Sequence, residues 1–216
     1  MGNLEAVDEP GGRPQGTSCL ILGVMGIAAV FAGIVIIALA GSILFRPAAT
    51  GADPARHPAV GSTLPQIELE PLTGTDEPVT AESLAGKVVL VNLWGTWCQP
   101  CWQELPHIAG LEGKLRHWPD FKLLAVSCTN QVPEDIDALR QETRLFLAGF
   151  ELDMPTYADP EGATRVAFLS LGGSGAFPTT LVLDRQGVIR GVWEGFSSKV
   201  PEEVERLVLR LLEKQE

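Results

Sequence analysis

The chain has 216 residues, 45% hydrophobic and 20% charged, which allows one domain of ordinary size with residues to spare and excludes wholesale disorder. Its 27 acidic residues against 16 basic ones leave a formal net charge of −11, so the basic stripe that nucleic-acid binding needs is missing. The acidity bears on solubility and names no substrate.

Residues 1–18 combine Gly2, Pro10, Gly11, Gly12, Pro14 and Gly16 with few apolar residues, the composition of a disordered tail. Cys19–Phe45 then runs for 27 residues without a charge. About 20 apolar residues suffice for a helix to cross a bilayer, so one N-terminal transmembrane helix is expected here. Its four glycines are common in such helices. A buried core helix of this length would be unusual. A cleaved signal segment stays open, because Ala38-Leu39-Ala40 resembles a small-residue cleavage site, although the run is long and the preceding tail acidic. Arg13 on one side and Arg46 and Arg56 on the other leave the orientation undecided by charge. Residues 46–59, rich in Pro, Ala and Gly, read as a linker, and 60–216 as the folded domain.

Within that domain Lys87–Trp94 (KVVLVNLW) is a continuous apolar run, expected of a strand buried on both faces. A helix follows from Cys98 to about Leu115, with a kink expected at Pro106. Phe121–Ser127 is a second buried strand. Pro133–Phe150 has helical spacing, with Pro133 in the first turn. Pro178 leads through TTLVL into the turn Asp184-Arg-Gln-Gly187 and then Val188–Trp193, a hairpin. Pro201 opens a last helix with Val204, Leu207, Val208, Leu211 and Leu212 on one face. This order predicts an α/β domain whose mixed central sheet is flanked by helices.

Trp97-Cys98-Gln99-Pro100-Cys101 lies where a buried strand gives way to a helix. A thiol in a helix's first turn sits beside unpaired N–H groups and the positive end of the helix dipole, which favour thiolate. Cys98 is therefore the expected nucleophile on a substrate disulfide, and Cys101, one turn on and more buried, the resolving thiol. The two sulfurs fall within bonding distance, and Pro100 restricts the turn between them. Zinc wants four ligands, and Cys128, His107 and His117 are scattered, so no metal site is expected. A purely structural disulfide is the other alternative, and a helix N-terminus is an exposed place for one.

GKVVLVNLWGTWCQPCWQELP resembles the active-site segment of the thioredoxin superfamily, in particular its TlpA/ResA-like branch of anchored extracytoplasmic thiol–disulfide oxidoreductases. The resemblance runs from about Val60 to the C-terminus. It takes in Gly61–Pro65 as an opening segment shared with the wider redoxin (AhpC/TSA-like) family, Tyr157–Gly162, and the Pro178 hairpin. It implies a thioredoxin-like fold, a Cys98–Cys101 disulfide and no cofactor. Partners would be protein disulfides or dithiols and a membrane electron donor, with the domain on the periplasmic side. One implied role is keeping exported cysteines reduced, for example during cytochrome c maturation.

The same resemblance makes Pro178 the family's cis-proline opposite the dithiol, where an ordinary trans proline is the alternative. Phe177 would offer backbone groups to a substrate strand. Glu104 matches a glutamate near the dithiol that exchanges a proton with the resolving thiol; otherwise it is a solvated helix-face residue. Asn92 stands where cytosolic thioredoxins carry a buried aspartate. Trp102 replaces a common Lys or Arg, which withholds a positive charge and adds apolar surface. The loop Gly172–Phe177 is glycine-rich and expected to be flexible. Cys128 reads as a buried structural thiol.

Two rival functions share these features. A peroxiredoxin-like peroxidase would need a Pro-x-x-x-Thr/Ser run before its cysteine, missing before Cys98. A metal-delivery module of this fold would use a C-x-x-x-C spacing and a distant histidine.

Overall fold

The computed structural model describes residues 53–129 and 135–214. The fold below is that of the compact unit Thr50–Glu216. The expected tail 1–18, the apolar segment 19–45 and Pro133 lie outside the described residues. Among the described residues no helix is long and apolar enough to cross a membrane.

Seven strands form one mixed sheet in the order β2-β1-β5-β4-β3-β6-β7. They are β1 (Glu68–Thr73), β2 (Val79–Thr80), β3 (Val88–Trp94), β4 (Phe121–Ser127), β5 (Thr156–Ala158), β6 (Thr179–Leu183) and β7 (Ile189–Glu194). The helices are α1 (Gln99–Leu115), α2 (Ile136–Gly149), α3 (Ala163–Ser170) and α4 (Val200–Glu213). β3 pairs in parallel with β4 across the α1 crossover and antiparallel with β6, so it lies inside the sheet. Every one of its residues is buried, as its unbroken apolar run requires.

The period of two along β3 divides the core. Val88, Leu90 and Trp94 join Cys101, Leu105 and Ile108 of α1 and Val204, Val208 and Leu212 of α4 on one face. Val89, Val91 and Leu93 join Tyr157 and the α3 residues Ala167 and Phe168 on the other. Asn92, in phase with the first set, is thereby directed at α1 and is fully buried. On β6 the same phase is held by Thr180 and Val182, and Thr180 stands directly opposite Asn92 in the ladder. Strand register therefore delivers two polar side chains to the buried face of α1.

α1 runs through Pro106 as one element, and proline removes the hydrogen bond that the Trp102 carbonyl would accept. Two local features differ from the expectations. α2 begins at Ile136, with Asp135 accepting from the Ala138 N–H at 3.1 Å as its cap. The 53–59 part of the stretch read as a linker packs on the domain. It contains a 3-10 turn at Pro54–Arg56, Ala59 is fully buried, and the His57 ring stacks on Phe168 at 5.7 Å.

Candidate active site

Cys98 caps α1. Its backbone is extended, and its Sγ accepts from the Cys101 N–H at 3.2 Å, one of the otherwise orphaned donors of the first turn. Cys98 and Cys101 are joined as a disulfide with Cα atoms 5.3 Å apart. Their exposures are 4% and 0%, so the sequence-based order holds, but Cys98 is far from freely exposed. Trp97 and Phe177 line the same groove as Cys98, and their rings meet edge-on at 5.1 Å. The Phe177–Pro178 peptide is cis.

Trp97 is itself fixed. Its Nε1 donates to the Cys128 carbonyl at 3.0 Å, at the end of β4. This requires Gly95, where a Cβ would stand 2.6 Å from the Trp97 Nε1 and 2.9 Å from the Cys128 carbonyl oxygen. Cys128 is buried, with its thiol 3.5 Å from the Val126 carbonyl.

An open groove of ≈ 600 Å³ begins at the disulfide, walled by Trp97, Pro100, Phe177, Leu169, Thr129 and Arg165. The last three were not singled out in the sequence. Arg165 brings a cationic side chain from α3 to the groove wall, with its Nη1 donating to the Thr129 carbonyl at 3.0 Å. Nothing local in the motif announces it, since the two segments are far apart in the chain. Trp102 is partly exposed and belongs to an aromatic group with Phe146 and Phe150 of the α2 end. The loop 172–176 is pinned rather than loose. The Ser174 N–H donates to Glu194 at 2.6 Å, and Gly173 lies so close to Phe168 that a Cβ would come within 2.3 Å of its ring.

Behind the disulfide, Glu104 is 1% exposed, which rules out the solvated helix-face reading. Asn92 Nδ2 donates to its Oε2 at 2.7 Å and to Thr180 Oγ1 at 2.9 Å, and Thr180 Oγ1 donates to Glu104 Oε1 at 3.1 Å. Burial pushes the Glu104 carboxyl up to about 7, against the pull of these two hydrogen bonds. A carboxyl poised there exchanges protons readily near neutrality. Thr180 was missed in the sequence; its signal is its place two residues after Pro178, on the same strand face. Among the described residues no cluster of His, Cys, Asp and Glu is arranged to hold a metal ion.

The arrangement is thus a disulfide at a helix N-terminus, a groove leading to its outer sulfur, and a buried acid one helical turn beyond its inner sulfur. The AhpC/TSA family model matches residues 60–192. Thiol-disulfide oxidoreductase ResA of Geobacillus thermodenitrificans is 29% identical over 141 residues, covering 65% of this chain and 72% of the relative. Thiol:disulfide interchange protein DsbE of Xylella fastidiosa is 29% identical over 177 residues, 81% of this chain and 77% of its own. Among solved structures, a secreted thiol-disulfide isomerase from Corynebacterium glutamicum superimposes with a TM-score of 0.55 at 26% identity, covering 69% of this chain and 85% of that one.

Proposed function

Since the chain belongs to the AhpC/TSA family, matched over more than half its length, we propose that it is a protein thiol–disulfide oxidoreductase of the ResA/DsbE type working through Cys98 and Cys101. The observation that carries this reading is the Cys98–Cys101 disulfide at the start of α1, open on its Cys98 side to the groove. In the reducing direction the Cys98 thiolate attacks one sulfur of a substrate disulfide. The other substrate sulfur leaves and takes up a proton. Cys101 then gives its proton to the Glu104 carboxylate and attacks Cys98 Sγ, closing the disulfide; the second substrate sulfur leaves as a thiolate and takes a proton from solvent. Two electrons have passed to the substrate, and a dithiol donor must restore them.

Trp97, Pro100, Phe177 and Pro178 shape the surface on which the substrate chain lies. In this reading the domain lies outside the cytoplasm, tethered by 19–45 as a single membrane span and reduced by a membrane electron donor. Its substrates are disulfides of exported proteins, for example those formed by the haem-site cysteines of apocytochrome c. The apolar run and the similarity to ResA and DsbE support this placement.

Trapping tests the reading most directly. A full-length Cys101→Ser chain expressed in its host should accumulate mixed disulfides through Cys98 with exported cysteine-containing proteins. A chain that traps none, and consumes peroxide in place of protein disulfides, is a peroxidase instead. Direction is read by equilibrating the full chain with glutathione. The buried Glu104 disfavours a neighbouring thiolate, so a potential near or below about −200 mV is expected, whereas one near about −120 mV belongs to a strong oxidant.

A further inference from the structure

The Asn92 Oδ1 is buried without a hydrogen-bond partner, although the Nδ2 of the same amide is engaged twice, by Glu104 and Thr180. A buried polar atom left unpaired is destabilising, so a core that keeps one beside a carboxyl does so for a reason. Proton bookkeeping supplies it. With Glu104 charged, the carboxylate accepts from Asn92 Nδ2 at Oε2 and from the Thr180 hydroxyl at Oε1. With Glu104 protonated at Oε1, that oxygen becomes a donor in a site closed to water, while Oε2 still accepts from Asn92 Nδ2. The Thr180 hydroxyl can rotate and accept the new O–H. Asn92 keeps Nδ2 on the pair in either state, and this commitment leaves its Oδ1 without a partner.

We propose that Asn92 and Thr180 are positioning residues that act through Glu104: Asn92 holds one carboxyl oxygen as a fixed donor, and the Thr180 hydroxyl is a reversible switch that donates to the carboxylate and accepts from the carboxylic acid. This lets one buried group take the Cys101 proton and keep it. The inference rests on the reading of Cys98 and Cys101 as a redox dithiol. The switch is built by register, because Asn92 and Thr180 are direct cross-strand partners on the face that meets α1. Its surroundings leave it in control. On its own helix Glu104 has Cys101 and His107 nearby. From the sheet, β3 and β6 meet it with the neutral Asn92 and Thr180. On α4, Glu203 is taken up by Trp193 Nε1 and Glu205 by Lys114, and Glu194 of β7 by the Ser174 N–H.

The test uses the full-length reduced chain in mild detergent with oxidised glutathione, a small disulfide that needs no protein substrate. Release of the second glutathione in a single turnover reports the step in which Cys101 loses its proton, and its rate is followed against pH. Thr180→Val, which keeps size and removes the hydroxyl, should move the midpoint up by about one pH unit, some tenfold in rate on the rising limb. Thr180→Ser should restore it. Asn92→Leu should move it in the same direction. In a Glu104→Gln background none of these substitutions should move the profile. A midpoint unmoved by Thr180→Val overturns the proposal, as does a shift that persists without Glu104. If Asn92→Leu does not fold, the Asn92 side-chain amide resonances of the parent decide its part. They should titrate with the Glu104 carboxyl, and a flat response overturns it. Because the chain's own dithiol is read, failure to trap exported proteins would leave this measurement intact.

Discussion

Glu104 and Asp159 are buried to the same extent, each 1% exposed, yet they are held in opposite ways. Asp159 accepts from the Thr164 N–H at 3.2 Å and the Arg165 N–H at 3.0 Å, backbone donors in the first turn of α3. Those donors belong to the helix backbone and cannot turn away. Glu104 sits in the body of α1 and is met by a side-chain amide and by a hydroxyl that can reverse. Equal burial thus yields a structural cap in one place and a poised acid in the other. The nature of the donors decides between them.

The sharpest separation comes from exchange kinetics. Cys98→Ser should abolish reduction of a disulfide substrate, a loss of 10³-fold or more on the order of a removed nucleophile, while Asp159→Asn should stay within about threefold of the parent. Thiol-coupled turnover of insulin measures both. Asp159→Asn falling as far as Cys98→Ser would erase the distinction between cap and acid.

Stability against pH separates the two next. The folded Glu104 carboxyl, raised to about 7, holds its proton over a range where the unfolded chain has lost it. The folded state therefore binds more protons between about pH 4.5 and 7, and stability falls as pH rises through that window. The full effect is of order 3 kcal/mol, about 1.4 kcal/mol for each pH unit between the two values. Urea unfolding of the oxidised chain should show this decline, and Glu104→Gln should flatten it, leaving the variant the more stable one above pH 7. A parallel decline in both proteins would assign it to other groups.

Glu104→Gln should also slow exchange by about a hundredfold near neutrality, within the range usual for lost acid–base catalysis. Stopped-flow oxidation of the reduced chain gives the number, and parent-like rates would leave Glu104 a packing residue. The smallest effect is expected from Asp159→Ala. It should cost about 1–2 kcal/mol as a lost helix cap, seen as a lower urea midpoint with near-parent exchange once folded.

Much of this was legible in the chain. The buried strand, the helix after it and the C-terminal hairpin follow from apolar runs and turn residues, because those signals are local. The placement of Cys98 at a strand–helix junction is local too. The burial of Glu104 was not, since three residues after Cys101 on a helix is only a direction until β3 and β6 close over it. Thr180 and Arg165 enter the site from distant segments, through strand register and the packing of α3. The contacts of loop 172–176 are non-local for the same reason, with Gly173 lying close against the Phe168 ring.

The N-terminal stretch also has a bearing on how copies of the protein coexist. β7 is the last strand of the sheet, yet its beginning is already engaged. The Gly61 N–H donates to the Ile189 carbonyl at 2.9 Å, the Ile189 N–H to the Ser62 carbonyl at 2.9 Å, and Thr63 bridges Val188. The opposite border is β2, only two residues long. A sheet finished in this way offers little template for strand addition by a neighbour. For a thiol–disulfide oxidoreductase such reluctance keeps encounters with other chains at the sulfur-bearing end and away from irreversible co-assembly.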